Sequence, residues 1–101
     1  MNTLDIGLQF SRYPAGRYAS EGRHSGEEFR EKFLRPALAQ GQQLRIFLDN
    51  TRGYGSSFLE EAFGGLVRLG YSPSEVIKSI HFDTYDDCLK EEIIEYINHA
   101  K

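Results

Sequence analysis

A chain of 101 residues, 40% hydrophobic and 27% charged, has room for one core and is too short for two. Its formal charge of −3 argues against a broad nucleic-acid or membrane-surface footprint, because both targets are polyanions that need a positive face. No apolar run approaches the roughly 18 residues of a membrane span, the start carries no signal-peptide pattern, and the single Cys88 has no internal disulfide partner, so a cytoplasmic, reducing compartment is expected.

Leu4, Ile6, Leu8 and Phe10 alternate with Asp5, Gly7 and Gln9, which predicts a half-buried strand. Pro14, Gly16 and Gly22 then punctuate a loop or hairpin, with a short second strand expected around Arg17 to Ser20. In "SGEEFREKFLRPALAQG", Ser25 and Glu28 have capping-box spacing, and Glu27 and Glu28 favour the positive end of a helix dipole. Phe29, Phe33, Leu34, Ala37 and Leu38 form its apolar stripe, and Gly41 stops it. Pro36 should kink this helix or end its regular part near Arg35.

Leu44 to Asn50, "LRIFLDN", alternates little and suits a central strand. A second helix stripe follows in Leu59, Ala62, Phe63, Leu66 and Val67, ending near Gly70; Gly64 and Gly65 within it imply close packing of another backbone. Pro73 opens a short helix in "SPSEVIKS", "IHFDTY" reads as a strand, and Asp86 or Asp87 opens an amphipathic helix through Ile97. Alternating strands and helices without repeat or linker make an α/β sheet covered by helices the economical architecture for a single domain over residues 1–101.

Function is most legible between strand and helix, in "LDNTRGYGSSFLEEAFGGL". Ser56 and Ser57 fall where the helix begins, a position suited to capping, anion binding or phosphorylation. Ser57 and Glu60 have capping-box spacing and Ser56 is an alternative N-cap, so capping alone is the plainer reading. Asp49 is read as a turn organiser that accepts turn amides, helped by Asn50 and Thr51. Gly53 and Gly55 resemble an anion nest in composition, yet the Walker pattern and its lysine are absent, so nucleotide hydrolysis is not supported.

Catalysis finds little support. Ser56 with His81 and Asp49 lacks the GxSxG motif, and His81 is read as an ordinary strand residue. Cys88 beside Asp86 and Asp87 is a poor nucleophile; His24, His81 and His99 lack ligand spacing, so no metal and no cofactor are expected. Arg12, Arg17 and Arg23 flank Tyr13 and Tyr18, and Arg52 adjoins the serine turn; the combination suits an acidic partner, with solvated loop residues as the plain alternative.

"GRYASEG", "SGEEFREKFLRPAL", "IFLDN" and above all "GYGSSFLEEAFGGLVR" resemble the STAS-like domain of unknown function found in bacteria and their phages. The resemblance runs from about Phe10 to the last strand and implies a mixed β-sheet covered by α-helices. That family is similar in layout to the sulfate-transporter and anti-sigma-factor-antagonist (STAS) modules. In the antagonists a kinase-like ATPase of the histidine-kinase superfold phosphorylates a serine at the corresponding turn, releasing the partner. Ser56 is the positional match and Ser57 lies beside it, with Gly55 in place of the Asp before the serine and Phe58 in place of the Gly after it. The resemblance thus implies a non-enzymatic interaction or regulatory module, switched at serine by such an ATPase, with a partner surface formed by Asn50, Arg52, Tyr54, Gly55 and Phe58. The alternative is a phage or host accessory protein that blocks or scaffolds another machine through the same surface without phosphorylation.

Overall fold

The computed structural model describes residues 2–101. Three strands, β1 (Asn2–Asp5), β2 (Leu44–Phe47) and β3 (Ile80–Asp83), lie in the order β1-β2-β3. Asn2 pairs with Leu44 and Leu44 with Ile80, and the register continues to Asp5, Phe47 and Asp83. Both pairings are parallel, whereas a mixed sheet was expected. The cause is connectivity: a helical crossover separates each strand from the next, so every strand starts from the same end.

Among the described residues five helices accompany the sheet: α1 (Ile6–Gln9), α2 (residues 26–39), α3 (residues 56–68), α4 (Pro73–Ser79) and α5 (Asp87–His99). Leu4, Leu44, Ile46, Leu48, Ile80 and Phe82 point into one core with Phe29, Leu34, Phe58, Phe63, Leu66, Val76, Ile93 and Ile97. On the other face Thr3, Arg45 and His81 are exposed, and the Arg45 guanidinium lies over the Phe47 ring at 5.1 Å. The helical cover is therefore one-sided.

The first strand ends earlier than its alternation suggested. Asp5 turns its carboxylate onto the N–H of Leu8 (3.0 Å) and caps α1, leaving Leu8 65% exposed. Gly7 allows this turn: a Cβ there would meet the Asn50 carbonyl oxygen at 2.0 Å. The expected strand around Arg17 to Ser20 is replaced by a 3₁₀ turn, Ala19–Glu21. The Gly16 and Arg17 carbonyls instead accept the free N–H groups of Gly26 and Glu27 at the start of α2, both at 3.0 Å.

α2 begins as expected, with Ser25 Oγ accepting the Glu28 N–H at 3.1 Å. Glu28 reaches back one residue further than a capping box requires, to the His24 N–H. The irregularity tied to Pro36 appears as a wide π turn at Arg30–Leu34, after which α-helix resumes through Ala39. The wider turn relieves the clash between the proline ring and the carbonyl four residues back. Gly41 and Gly70 both have positive φ and close α2 and α3 with paired bonds, Gly41 N–H to Leu38 and Gln42 N–H to Ala37, then Gly70 N–H to Val67 and Tyr71 N–H to Leu66.

A second π turn, Glu60–Gly64, faces the first. Between them Arg30 Nη1 donates to Glu61 Oε2 (2.6 Å) and to the Glu61 carbonyl (3.0 Å), with both side chains buried. Arg17 and Arg68 each bond Glu60 and Glu61, and Glu31 joins Arg30 to Arg35. Arg17, expected among residues suited to an acidic partner, is thus committed internally, tying the loop before α2 onto α3. The glycines behave partly as anticipated. A Cβ on Gly64 would meet the Tyr96 backbone oxygen at 3.2 Å and the Glu60 carboxylate, while one on Gly65 would meet the Arg30 side chain rather than a backbone.

This network makes stability acid-sensitive. Hydrogen bonding from Arg68 holds the Glu60 carboxyl below its ordinary range against the opposing effect of burial, and Arg17 lowers it further. For Glu31, burial pushes upward but the bonds from Arg30 and Arg35 prevail. Carboxyls depressed on folding add stability that is present above their unfolded pKa and lost as pH falls through the folded one. Urea midpoints should hold from neutral pH down to about pH 4.5 and fall below it, with a shallower fall in Glu60→Gln.

Candidate functional site at the carboxyl end of the sheet

In a parallel sheet the crevice beyond the carboxyl ends of the strands is the usual binding region, because the connecting loops gather there. Here three loops meet. Asn50 Nδ2 donates to Asp5 Oδ2 at 2.6 Å, joining the turn after β2 to the end of β1. Asp49 accepts the Thr84 hydroxyl (2.5 Å) and the Tyr85 N–H (2.9 Å), joining the same turn to the end of β3. Asp49 is thus a turn organiser, but for the β3–α5 turn across the sheet rather than its own.

The turn is fixed at four further points. Arg52 N–H donates to the Arg12 carbonyl at 2.8 Å. Gly53 has φ +141°, a conformation side chains rarely adopt. Tyr54 donates its hydroxyl to the Leu48 carbonyl at 2.7 Å and stacks on Phe58. Burial first, with Asp5 and Asp49 adding to it, pushes the Tyr54 phenol up to about 12, so it stays protonated at any physiological pH. Gly55 then caps α3 in extended conformation, without a side-chain bond.

Ser56 and Ser57 are exposed in the first turn of α3, and neither caps it. Neither serine fills the expected capping role. Gly55 occupies the N-cap position, so Ser56 and Ser57 already lie inside the helix. Glu60, the would-be partner of Ser57, is drawn away by Arg17 and Arg68. The two hydroxyls have no structural role among the described residues. Ser56→Ala should therefore change stability by less than about 0.5 kcal/mol, whereas Ser25→Ala, which removes a true cap, should cost about 1 kcal/mol; paired urea titrations compare them directly.

The other expected surface residues divide. Arg52 and Gly55 are exposed, Asn50 is exposed but tied to Asp5, and Tyr54 is half-buried with its hydroxyl engaged. Phe58 is 0% exposed, stacked among Phe10, Phe29 and Tyr54 as core, and offers a partner nothing. Sequence reasoning missed Asp5, Gly7, Thr84 and Tyr85 as members of the site. Only Tyr85, a large apolar side chain next to two aspartates, carried a local signal.

A cleft of about 410 Å³ opens beside the turn, between Leu48, Thr51, Arg52 and Tyr54 on one side and Asp86, Cys88, Leu89 and Glu92 on the other. Neither serine lines it. Among the described residues, no group of three or more His, Cys, Asp or Glu is placed to hold a metal ion, and no helix is long and apolar enough to cross a membrane. His81 is exposed on the open sheet face, away from Ser56.

A family model described as a STAS-like domain of unknown function (DUF4325) matches residues 25–87, more than half of the chain. The chain belongs to this family. The match takes in the Ser25 cap, both π turns, β2, β3 and the whole serine turn of this STAS-like domain, and leaves "GRYASEG" outside. No curated protein and no solved structure matches the chain.

Proposed function

We propose that this STAS-like domain is a non-enzymatic protein-interaction module whose partner docks at the carboxyl end of the sheet and is released by phosphorylation of Ser56. One observation carries the reading: two adjacent serine hydroxyls stand exposed at the start of a helix without a structural bond, on a turn held by its neighbours at both strand ends. A solvated hydroxyl on a rigid support is accessible to a kinase active site, and its modification leaves the fold intact.

Electrostatics favour the same position. A phosphoryl group adds about −1.5 to −2 charges, which the free N–H groups and dipole of a helix start accommodate. Against a partner surface shaped for a neutral hydroxyl that charge is penalised, and about 2.8 kcal/mol suffices to weaken binding 100-fold. A kinase-like ATPase of the histidine-kinase superfold is the partner class to which the family resemblance points. The second reading, a blocking or scaffolding module without phosphorylation, draws on the two departures around the serine: Gly55 removes the preceding acid, and Phe58 is locked in the core.

The two readings part in a binding experiment with a partner captured from the source cells and then purified. Ser56→Asp should weaken binding by about 100-fold while Ser56→Ala binds as well as the parent. Equal binding by all three proteins favours the unswitched scaffold. Intact-mass measurement of the chain recovered from those cells reports directly whether a phosphoryl group is carried.

A further inference from the structure

We propose that the cleft beside the serine turn, continued along the outer face of α5, receives a basic segment of a protein partner, with its cations among Asp49, Asp86, Glu91, Glu92 and Glu95. This rests on the reading of the carboxyl end of the sheet as the partner surface, and it specifies the partner's chemistry.

Two concavities make one groove. The cleft of about 410 Å³ reaches Cys88 and Glu92, and the same two residues belong to a second hollow of about 390 Å³ lined also by Glu91, Ile94 and Glu95. Five carboxylates line the two hollows against a single cation, Arg52. From Asp86 to Glu95 the helix advances about 13 Å, the reach of a peptide segment rather than of one ion.

These carboxylates keep their charge. Asp49 accepts the Thr84 hydroxyl and the Tyr85 N–H, Asp86 the Leu89 N–H and Glu92 the Tyr96 hydroxyl, all neutral donors. The bond to Glu92, with burial behind it, pushes the Tyr96 phenol up to about 12, so the proton stays on the tyrosine. Glu95 meets His99 at 2.9 Å, an ion pair only when that imidazole is protonated, and among the described residues no other ion pair forms on α5. Asp87, Glu91 and Glu95, all exposed, recur every four residues and repel one another along one face of the helix. Among the described residues no lysine or arginine answers that repulsion; a basic segment would.

The walls suit such a segment as well. Tyr54, Leu89 and Ile94 are half-buried, leaving apolar surface for the methylene stems of lysine or arginine. Tyr85, next to Asp86 and 100% exposed, is held through its N–H by Asp49 and offers a ring face to a cation. Nucleic acid and anionic membrane would be repelled by the same carboxylates. Neither serine lines the groove, so this contact is separate from the one proposed for Ser56.

The test uses the whole chain and a labelled synthetic peptide repeating Lys-Lys-Leu, read by fluorescence anisotropy at low salt. A peptide repeating Glu-Glu-Leu should not compete, and one repeating Lys-Lys-Ser, equal in charge, should compete more weakly than unlabelled Lys-Lys-Leu. Binding should weaken about tenfold in the double variant Glu91→Gln, Glu95→Gln. It should change by less than about twofold in Ala39→Lys, Gln43→Lys, which shifts net charge equally at the end of α2 and just before β2. Because Glu91→Gln, Glu95→Gln relieves repulsion, its urea midpoint should match or exceed that of the parent.

Failure of the basic peptide to bind, equal weakening in the two double variants, equal competition by the serine and leucine peptides, or a lowered urea midpoint in the groove variant would overturn the proposal. So would displacement of the peptide by spermine at an equal concentration of charge, since the occupant would then be a small cation. If the groove variant retains a purified partner that Ser56→Asp loses, the basic-segment proposal fails while the serine switch stands; loss of that partner by the groove variant alone has the reverse meaning.

Discussion

Glu61→Gln is expected to be the most damaging conservative substitution in the chain, lowering stability by about 3 kcal/mol. Glu61 is buried in the π turn of α3, and its two oxygens take Arg30 at 2.6 Å and both Arg17 and Arg68 at 3.1 Å. An amide cannot balance them, so three guanidiniums would be left to share Glu60 and Glu31. The reverse deletion should be milder. Arg30→Leu leaves Glu61 with Arg17 and Arg68, and leaves a small void over Gly65, a loss of about 1–2 kcal/mol. Urea unfolding of the two variants reads this asymmetry, and a larger loss in Arg30→Leu would contradict it.

Gly7→Ala should cost about 3 kcal/mol, because its Cβ would stand 2.0 Å from the Asn50 carbonyl oxygen and only a backbone shift relieves such contact. Gly16→Ala is the comparison: its φ is +87°, but nothing lies within 4 Å, so backbone strain of about 1–2 kcal/mol is the whole effect. The two glycines differ in consequence as well. Moving Asn50 breaks its 2.6 Å bond to Asp5 and loosens the serine turn, so Gly7→Ala should speed amide exchange from Asn50 to Gly55 while Gly16→Ala leaves it unchanged.

Much of the framework was readable because it depends on short-range pattern. The stripes of α2 and α3, the Ser25 cap, Gly41 and Gly70 as stops, Pro73 in a first turn and Asp86 as a cap all act within a few residues. The readings that failed depend on partners distant in sequence. The alternation of Leu4, Ile6, Leu8 and Phe10 continues past the strand end, but Asp5 and the contact of Gly7 with Asn50 turn the chain at Ile6.

Ser57 and Glu60 carry the same spacing as Ser25 and Glu28 and behave differently, since Gly55 takes the N-cap position and Glu60 is claimed by Arg17 from the loop before α2 and by Arg68 two turns along its own helix. Arg17 looked like a surface anchor for the same reason. The position of the candidate site was legible from the strand, turn and helix order; its membership was not, because Asp5, Thr84 and Tyr85 reach it only through the parallel register of the sheet.

Hydrogen exchange of this STAS-like domain, free and in the presence of a purified protein captured from the source cells, tests the proposed docking surface most directly. Slowed exchange concentrated at Arg12, Tyr13 and the turn from Asn50 to Ser57 is the predicted result. Protection confined to the open face of the sheet, at Thr3, Arg45, Phe47 and His81, with the serine turn unchanged, would contradict it.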